Sequence, residues 1–375
     1  MTVPAPVEGR APGRLDVLGG VADYAGALVL ETPTRAVTTV RAEPRDALVV
    51  GPVRLEPAEV DDLARRPYPE VRSALAEQPR WTHYVVGVAL VLVRHGVIEP
   101  PTVELTVSSD VPTSVGVSSS AALEVATARA LGADRVGGVD GLRLAALCQE
   151  AENQVVGAPC GIMDQVTVAL GTAGALLPIL CRPARVDPLV ALPPTLEVVG
   201  WPTGAVHDVS GTPYRRARTA AFMGKRMVED AAGRAWDWIS ELPPELVDAL
   251  PDELDGAAFL DRWAGTDDAL TEVDPGESYP VRAAAGFGGD EHRRVGHAVS
   301  AFAGADVFSL GPLLAASHAG YDAIGLGHPA ATAVVAEALG RPGVLGARSS
   351  GGGAGGTVVV LCERGALDDV DGLIR

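Results

Sequence analysis

The chain has 375 residues, of which 47% are hydrophobic and 21% are charged, so it can bury a large core and is not intrinsically disordered. Acidic residues outnumber basic ones 48 to 30, and the formal charge of −18 disfavours nucleic acid and anionic membrane surfaces as partners. The length suffices for two domains of ordinary size. Because Lys225 is the only lysine and no G-x-x-x-x-G-K-[ST] motif occurs, a Walker-type phosphate site is excluded.

The cysteines and the apolar segments indicate the kind of environment the protein occupies. Its four cysteines form no C-x-x-C pair, which argues against a zinc site and against a disulfide framework. The amino-terminal residues lack the apolar segment of a signal peptide, and the longest apolar run, residues 85–93, is too short to cross a bilayer. We therefore expect a cytoplasmic protein without membrane partners, present as a monomer or a homodimer.

In the first half of the chain, apolar patterns and glycine or proline breaks predict a mixture of strands and helices. Strands are predicted at residues 28–30, 36–40, 47–50 and 102–107. Helices are predicted at residues 81–95, 119–131 and 141–155.

The second half is predicted to be mainly helical. Helices are expected at residues 212–231, 243–263, 293–303, 312–318 and 329–339, and a strand at residues 357–361. Four prolines fall between residues 183 and 194, which favours a boundary between domains of residues 1–185 and 186–375. Since strands and helices mix without regular βα alternation, the prediction is an α+β fold of two domains.

A serine-rich segment at residues 112–122, P-T-S-V-G-V-S-S-S-A-A, runs directly into a predicted helix. The amino terminus of a helix presents unpaired N–H groups and the positive end of the helix dipole, and together these can bind an anion. A single serine at this place is most often an ordinary helix cap. Three consecutive serines after P-x-x-x-G favour phosphate binding instead.

A glycine-rich segment at residues 348–356 precedes the predicted strand at residues 357–361. It contains a formal G-x-G-x-x-G, but a dinucleotide-binding fingerprint follows a strand and opens a helix, whereas this one opens a strand. We therefore expect a loop that packs closely on a ligand or on the serine-rich segment.

Two further segments supply charged residues. Arg14, Asp16 and Asp23 lie within residues 13–24, and Asp164 lies in G-I-M-D-Q at residues 161–165. A lone aspartate is most often a cap or a turn residue. An arginine and an aspartate brought together would suit the activation of a hydroxyl group beside a developing phosphoryl charge.

Taken together, these segments resemble the galactokinase branch of the GHMP small-molecule kinases. The family's G-R-x-N-x-I-G-E-H-x-D-Y is similar to residues 13–24, and its P-x-G-x-G-L-S-S-S-A-S is similar to residues 112–122. G-I-M-D-Q is unchanged, and G-A-R-x-T-G-G-G-x-G-G and W-x-N-Y-V-K-G resemble residues 346–356 and 81–87. The resemblance implies a two-domain α+β fold with an N-terminal domain like domain 2 of ribosomal protein S5 and a ferredoxin-like C-terminal domain.

The resemblance also implies a role for each matching residue, with ATP and Mg²⁺ as the cofactors and a small sugar as the substrate. Asp164 would be the catalytic aspartate beside the anomeric hydroxyl, and Arg14 would balance its charge and that of the γ-phosphate. The nucleotide would be bound by Val115, Gly116, Val117, Ser118, Ser119, Ser120 and Trp81. Mg²⁺ would be ligated by Ser120 and Glu152. The sugar would be bound by Asp23, Gly20, Val21, Gly161 and Tyr214.

One departure from galactokinases concerns the choice of sugar. Gly20 and Val21 stand where that family has Glu-His, which lies at the C6 hydroxyl of the sugar. Loss of both favours a sugar without the hydroxymethyl arm, such as L-arabinopyranose, with Val21 filling the vacated space. Residues 16–30 also resemble the kinase domain of plant-type L-arabinokinases. The expected activity is phosphorylation of L-arabinose to L-arabinose 1-phosphate.

Three alternatives remain open at this point. The first is a galactokinase with relaxed specificity, since an apolar pocket rejects an added hydroxyl only weakly. The second is a non-catalytic sugar sensor on the same scaffold. The third, a kinase of the mevalonate or homoserine branch, is disfavoured because that branch shares the serine-rich segment but not G-I-M-D-Q.

Overall fold

The computed structural model describes residues 6–205 and 212–375, which form two compact units. The first unit comprises the residues up to Arg14 together with Pro33–Thr113 and Ser118–Gly171. The second comprises Leu15–Thr32, Ser114–Val117 and Thr172–Arg375. Each unit is therefore built from several stretches of chain. The domain limits at residues 1–185 and 186–375 stay a prediction.

The first unit contains a mixed sheet. Its strands are β1 (Val7–Leu18, of which the residues up to Arg14 belong here), β2 (Leu28–Pro44, from Pro33 onward), β3 (Leu48–Val50), β4 (Val53–Leu55) and β5 (Val103–Ser109). Strand β5 lies between β2, which is antiparallel to it, and β3, which is parallel. The strands predicted at residues 28–30 and 36–40 are parts of β2, because Pro33 continues the extended backbone instead of ending it.

Six α-helices lie in the described residues of the first unit. They are α1 (Pro57–Arg65), α2 (Tyr68–Leu75), α3 (Arg80–Arg94), α4 (Ser119–Ala130), α5 (Gly141–Glu150) and α6 (Met163–Leu170). The helices predicted at residues 81–95 and 119–131 are confirmed as α3 and α4. The predicted helix at residues 141–155 is also present, but after α5 it widens into a π-helical turn, Ala151–Val156, which carries Glu152. Such turns occur frequently at functional sites.

The second unit contains the remaining strands. They are β6 (Ala175–Cys181), β7 (Ala184–Val186), β8 (Val190–Ala191), β9 (Leu196–Pro202), β10 (Leu254–Asp255), β11 (Ser278–Tyr279), β12 (Val344–Ser349) and β13 (Thr357–Glu363). Strand β6 pairs with the first residues of β2 and with β7 and β8. Strands β12, β13 and β9 form an antiparallel sheet in that order, with β13 at its centre.

Within the part of the second unit that the structure describes, there are six further α-helices. They are α7 (Thr212–Ala232), α8 (Pro244–Asp248), α9 (Gly256–Trp263), α10 (Val281–Ala303), α11 (Leu310–Ala323) and α12 (Pro329–Leu339). The predictions for α7 and α12 are confirmed. The single helix predicted at residues 243–263 is wrong: the chain forms α8 and α9 with β10 between them, because Pro251 disfavours helical backbone at Leu250. Helix α10 begins at Val281, well before the predicted start at residue 293.

One apolar cluster of the second unit surrounds a short helical turn, Gly20–Asp23. Val21 and Ala22 from this turn pack with residues of α7, α10 and α11, among them Phe287 and Tyr321. Burial of one large apolar side chain contributes about 1.5–3 kcal/mol, so the cluster anchors the turn firmly. Within the described ranges, no helix combines the length and apolar character that crossing a membrane requires.

Candidate active site

The first unit brings Arg14 and Asp164 into contact, although they are 150 positions apart in the chain. Nε of Arg14 donates to Oδ1 of Asp164 at 2.8 Å, and Nη2 lies 2.7 Å from the same oxygen. The side chain of Arg14 is 3% exposed and that of Asp164 is 19% exposed. Asp164 lies in the first turn of α6, where the helix dipole favours a negative charge, and the buried Gly161 lies in the segment leading into that helix. The pair therefore fixes an oriented, partly accessible carboxylate.

Glu152 lies in a buried cluster of polar groups in the same unit. It is 2% exposed, and one of its oxygens accepts hydrogen bonds from Nε2 of Gln165 at 2.6 Å and from Sγ of Cys160 at 3.2 Å. The hydroxyl group of Ser120 also hydrogen bonds to the Glu152 carboxylate. Burial and, next, the charge of Asp164 raise the pKa of Glu152. A nearby cation would offset both effects.

The Glu152 carboxylate and the Ser120 hydroxyl group are oxygen donors of the kind that Mg²⁺ prefers. Among residues 6–205 and 212–375, His, Cys, Asp and Glu side chains nowhere gather in threes or more in a way that could hold a metal ion. Magnesium is usually bound through one or two carboxylates together with substrate phosphates and water, rather than in a cage made by protein alone. One buried carboxylate beside the Ser120 hydroxyl group fits that mode of binding.

Glu124 and Gln165 are members of this cluster that sequence reasoning missed. Gln165 donates through the same Nε2 to Glu124, at 3.0 Å, and to Glu152, so it bridges two buried carboxyl groups. Burial, followed by the charge of Glu152, raises the pKa of Glu124 well above its usual range. Gln165 stands beside Asp164 in the quoted motif. Glu124 lies in an apolar helix and in no motif, so the sequence does not indicate that it contacts Gln165.

The serine-rich segment enters the first unit at Ser118, which occupies the cap position of α4. Its backbone is left-handed, with φ of 57°, a conformation that costs a residue other than glycine about 1–2 kcal/mol. The hydroxyl group of Ser118 is buried and has no hydrogen-bond partner in the described parts of the chain. Ser119 and Ser120 follow in the first helical turn. An ordinary serine cap would accept a hydrogen bond from a first-turn N–H group, and Ser118 does not.

The beginning of the same segment, Val115 to Val117, belongs to the second unit. The hydroxyl group of Thr357, at the start of β13, donates to the carbonyl oxygen of Val115 at 2.7 Å. Gly116 has a φ of 78°, which favours glycine. The glycine-rich segment that precedes Thr357 is thereby attached to the serine-rich one, which is one of the two arrangements that the sequence predicts.

The remaining predicted sugar-binding residues also belong to the second unit. All four residues of the turn Gly20–Asp23 are buried, and Oδ1 of Asp23 accepts the backbone N–H of Tyr24 at 2.7 Å. The ring of Tyr214 meets that of Tyr24 edge to face, with centroids 6.1 Å apart. Residues 206–211, which precede the helix that carries Tyr214, lie outside the described residues.

Trp81, the predicted nucleotide-binding aromatic residue, lies at the start of α3 in the first unit. Its side chain is 41% exposed, which is unusual for a large apolar residue in this protein. Its ring covers Gly51 closely enough that a Cβ atom there would lie 2.8 Å from it. A partly exposed indole fixed on one face is suited to stacking against a planar base.

A fully buried ion pair, Asp16–Arg348, connects the turn and the glycine-rich segment inside the second unit. Nη1 of Arg348 lies 3.0 Å from Oδ2 of Asp16, and both side chains are 0% exposed. Asp16 also accepts the backbone N–H groups of Gly20, at 3.1 Å, and of Gly351, at 2.8 Å. Burial opposes the charge on Arg348, but Asp16 together with Tyr321 and Glu31 more than offsets it, and the pKa of Arg348 is raised. Both residues lie in quoted motifs, yet no pattern in the sequence pairs them.

Comparisons with known proteins show the family to which the chain belongs. Residues 83–172 match the profile of the GHMP kinases N terminal domain, and residues 298–370 match that of the GHMP kinases C terminal domain. The galactokinase of Chloroflexus aggregans is 32% identical to this chain over 96% of the chain and 85% of its own length. The chain therefore belongs to the GHMP kinase family, as a kinase of the type that galactokinases and L-arabinokinase represent.

One further sequence relative and one solved structure are similar to nearly the whole chain. L-arabinokinase of Arabidopsis thaliana is 34% identical over 94% of this chain, but the chain spans 42% of that protein's length. The solved galactokinase of Lactococcus lactis, complexed with galactose, aligns with a TM-score of 0.75 at 20% identity, over 98% of this chain and 88% of that one. The two-domain α+β fold of GHMP kinases, expected from the sequence, is confirmed.

Proposed function

We propose that this protein transfers the γ-phosphoryl group of ATP to the anomeric hydroxyl of a galacto-configured sugar, with L-arabinose as its preferred substrate and L-arabinose 1-phosphate as the product. GHMP kinases use ATP as the phosphate donor. The observation that carries the proposal is the contact of Asp164 with the buried Arg14, because it provides an oriented carboxylate and a fixed positive charge. Sequence identities of 34% to L-arabinokinase and 32% to a galactokinase, each over nearly the whole chain, support it.

In this reaction Asp164 accepts a hydrogen bond from the sugar hydroxyl and orients it for in-line attack. A loose phosphoryl-transfer transition state requires little early proton removal, so orientation is the larger contribution. Arg14 keeps the Asp164 carboxylate aligned, and it stabilises negative charge on the transferred group. Ser118 and the first-turn N–H groups of α4 bind phosphate oxygens, since that hydroxyl is not used for capping.

Magnesium, when bound, neutralises charge on the phosphate oxygens. Glu152 and Ser120 are the residues that would hold it, because their hydrogen-bonded carboxylate and hydroxyl are the oxygen donors that Mg²⁺ prefers. Gln165 holds Glu152 in place through its amide N–H group.

The choice of sugar rests on the turn Gly20–Asp23. Asp23 would bind ring hydroxyl groups, and Tyr214 would contact the ring. A glycine at position 20 and a valine at position 21 offer no charged partner to a C6 hydroxyl. A lost hydrogen bond to a charged group corresponds to about 1.5–3 kcal/mol, or about ten- to a hundredfold in selectivity.

The test is ATP-dependent phosphorylation of L-arabinose, D-galactose, D-fucose and D-xylose, with the position of the phosphate determined by NMR. We expect kcat/KM to favour L-arabinose over D-galactose by about ten- to a hundredfold, with D-fucose between them because it lacks the C6 hydroxyl. Turnover of none of these sugars would refute the proposed kinase reaction. Phosphate on a carbon other than C1 would refute the role given to Asp164.

The second candidate function is that of a galactokinase with relaxed specificity. Galactokinases from several organisms match 94–97% of this chain and 83–85% of their own lengths, which favours it. A wild-type preference for D-galactose over L-arabinose in the same sugar panel would decide for this candidate.

A further inference from the structure

The turn Gly20–Asp23 contacts Tyr321, a residue of α11 that has no role in the proposed reaction. Tyr321 is 0% exposed. Its hydroxyl group accepts the backbone N–H of Val21 at 3.2 Å and donates to the carbonyl oxygen of Gly351. Its ring packs edge to face on Phe287, and the guanidinium carbon of Arg348 lies 5.1 Å from its centre. Tyr321 is thus held on three sides, and its hydroxyl group joins two loops.

The same hydroxyl group occupies the space in which a side chain at position 20 would begin. Gly20 has a left-handed backbone, with φ of 54°. A Cβ atom built on it would lie 1.7 Å from the Tyr321 hydroxyl oxygen, 2.8 Å from the ring carbon that bears this hydroxyl group, and 2.9 Å from Nη2 of Arg348. The side chain of Val21 is buried and packs in the apolar cluster around the turn. A glutamate at position 20 would therefore require Tyr321 to move.

We infer that Tyr321 is a specificity-determining positioning residue: its hydroxyl group excludes any side chain at position 20 and fixes the N–H group of Val21. Sugar selectivity then depends on Gly20 and Tyr321 as a pair, rather than on Gly20 and Val21. This inference rests on the proposed function. Tyr321 acts through the backbone of the turn, because its hydroxyl group bonds to Val21 and Gly351.

The first experiment compares Tyr321→Phe with Tyr279→Phe. Tyr279 is a matched control in the same unit: it is 3% exposed, and its hydroxyl group likewise accepts a backbone N–H, that of Asp274, at 2.9 Å. We expect Tyr321→Phe to change the L-arabinose to D-galactose ratio of kcat/KM by about fivefold or more, mainly through the KM for sugar, with the KM for ATP unchanged. Tyr279→Phe is expected to leave the ratio within about twofold, even where it lowers the Tm.

The second experiment tests the steric premise without relying on turnover. Gly20→Ala is made in the wild-type chain and in the Tyr321→Phe variant, and the Tm of all four proteins is measured. Because the added methyl group collides with the hydroxyl oxygen, Gly20→Ala should lower the Tm more in the wild-type chain than in Tyr321→Phe, and the difference measures the coupling. Equal losses in both backgrounds would overturn the premise.

The outcomes separate this inference from the proposed function. If the wild-type enzyme phosphorylates its sugars and the ratio is the same in Tyr321→Phe as in Tyr279→Phe, the inference is wrong and the kinase assignment stands. If the wild-type enzyme phosphorylates no sugar, the proposed function is wrong, and with it the selectivity role of Tyr321.

Discussion

Replacing Asp164 with asparagine tests the centre of the proposed mechanism with little change in shape. The amide of Asp164→Asn keeps an oxygen that can accept the 2.8 Å hydrogen bond from Nε of Arg14. The variant loses the negative charge, and with it the charge balance of a guanidinium group that is 3% exposed. Asp164→Asn should therefore lower the stability of the fold only slightly and lower kcat strongly.

The expected magnitudes follow from these contacts. A hydrogen bond to a charged group contributes about 1.5–3 kcal/mol to stability, and since one of the two partners stays charged we expect a loss near the lower end. For turnover, a positioned carboxylate contributes about 10²–10⁴-fold, which corresponds to about 3–5 kcal/mol of transition-state stabilisation. The loss of kcat should thus far exceed any effect of unfolded protein.

Glu197→Gln provides a matched control. Glu197 is a largely buried carboxylate of β9 paired with Arg375, with side-chain exposures of 9% and 29%, and neither residue has a role in the proposed reaction. Both variants are examined by thermal unfolding, by calorimetric binding of sugar, and by single-turnover phosphorylation of L-arabinose. We expect each to lose some stability, but only Asp164→Asn to lose turnover while it still binds sugar. A kcat within about threefold of wild type in folded Asp164→Asn would remove Asp164 from the mechanism.

Three further outcomes are expected. Glu152→Gln and Ser120→Ala should each raise the Mg²⁺ concentration that gives half-maximal activity, because each removes one oxygen donor; an unchanged Mg²⁺ titration would contradict the assignment. Trp81→Ala should raise the KM for ATP by about tenfold and leave that for sugar unchanged, as measured by initial rates. Burial favours the neutral form of Asp268, but the hydrogen bonds and charge of Arg218, with hydrogen bonds from Thr271 and the backbone of Leu270, together more than offset it and hold the pKa of Asp268 below its ordinary value. The stability difference between wild type and Asp268→Asn should therefore be complete at pH 6 and shrink as the pH falls below about 4, and a difference that stays constant down to pH 3 would contradict this.

Local sequence patterns predict those helices whose own residues determine that they are helical and where they end. Helices α3, α4 and α12 combine long apolar stretches with a glycine at or shortly after the end, and each was predicted to within one or two residues. Helix α10 was predicted only in its second half, because Gly286, Gly288 and Gly289 lower the helix propensity of its first half. Packing overrides that propensity: a Cβ atom on Gly288 would lie 2.6 Å from Ala25, so the glycine permits a close approach.

The candidate site was predictable where a motif names its residues, and not where two distant segments meet. Arg14 and Asp164 stand in quoted motifs, so the sequence suggested their pairing. Tyr321 stands in no motif, and neither its spacing nor its neighbours indicate that it lies beneath Gly20. Contacts of this kind depend on the packing of a helix against a turn 300 positions earlier in the chain, which no local pattern encodes.

The ion pair between Asp16 and Arg348 and its neighbouring contacts have a consequence for synthesis on the ribosome. Arg14 and Asp164 are separated by 150 positions in the chain. Asp16 binds the N–H group of Gly351, which is synthesised 335 positions after it. At about 5–20 residues per second, this delay is on the order of tens of seconds. The contact between Arg14 and Asp164 can thus form on a nascent chain in which Asp16 still lacks its partners Arg348 and Gly351. A translation product that stops short of Arg348 would retain Arg14 and Asp164 but would lack both the guanidinium group and the Gly351 N–H group that bind Asp16.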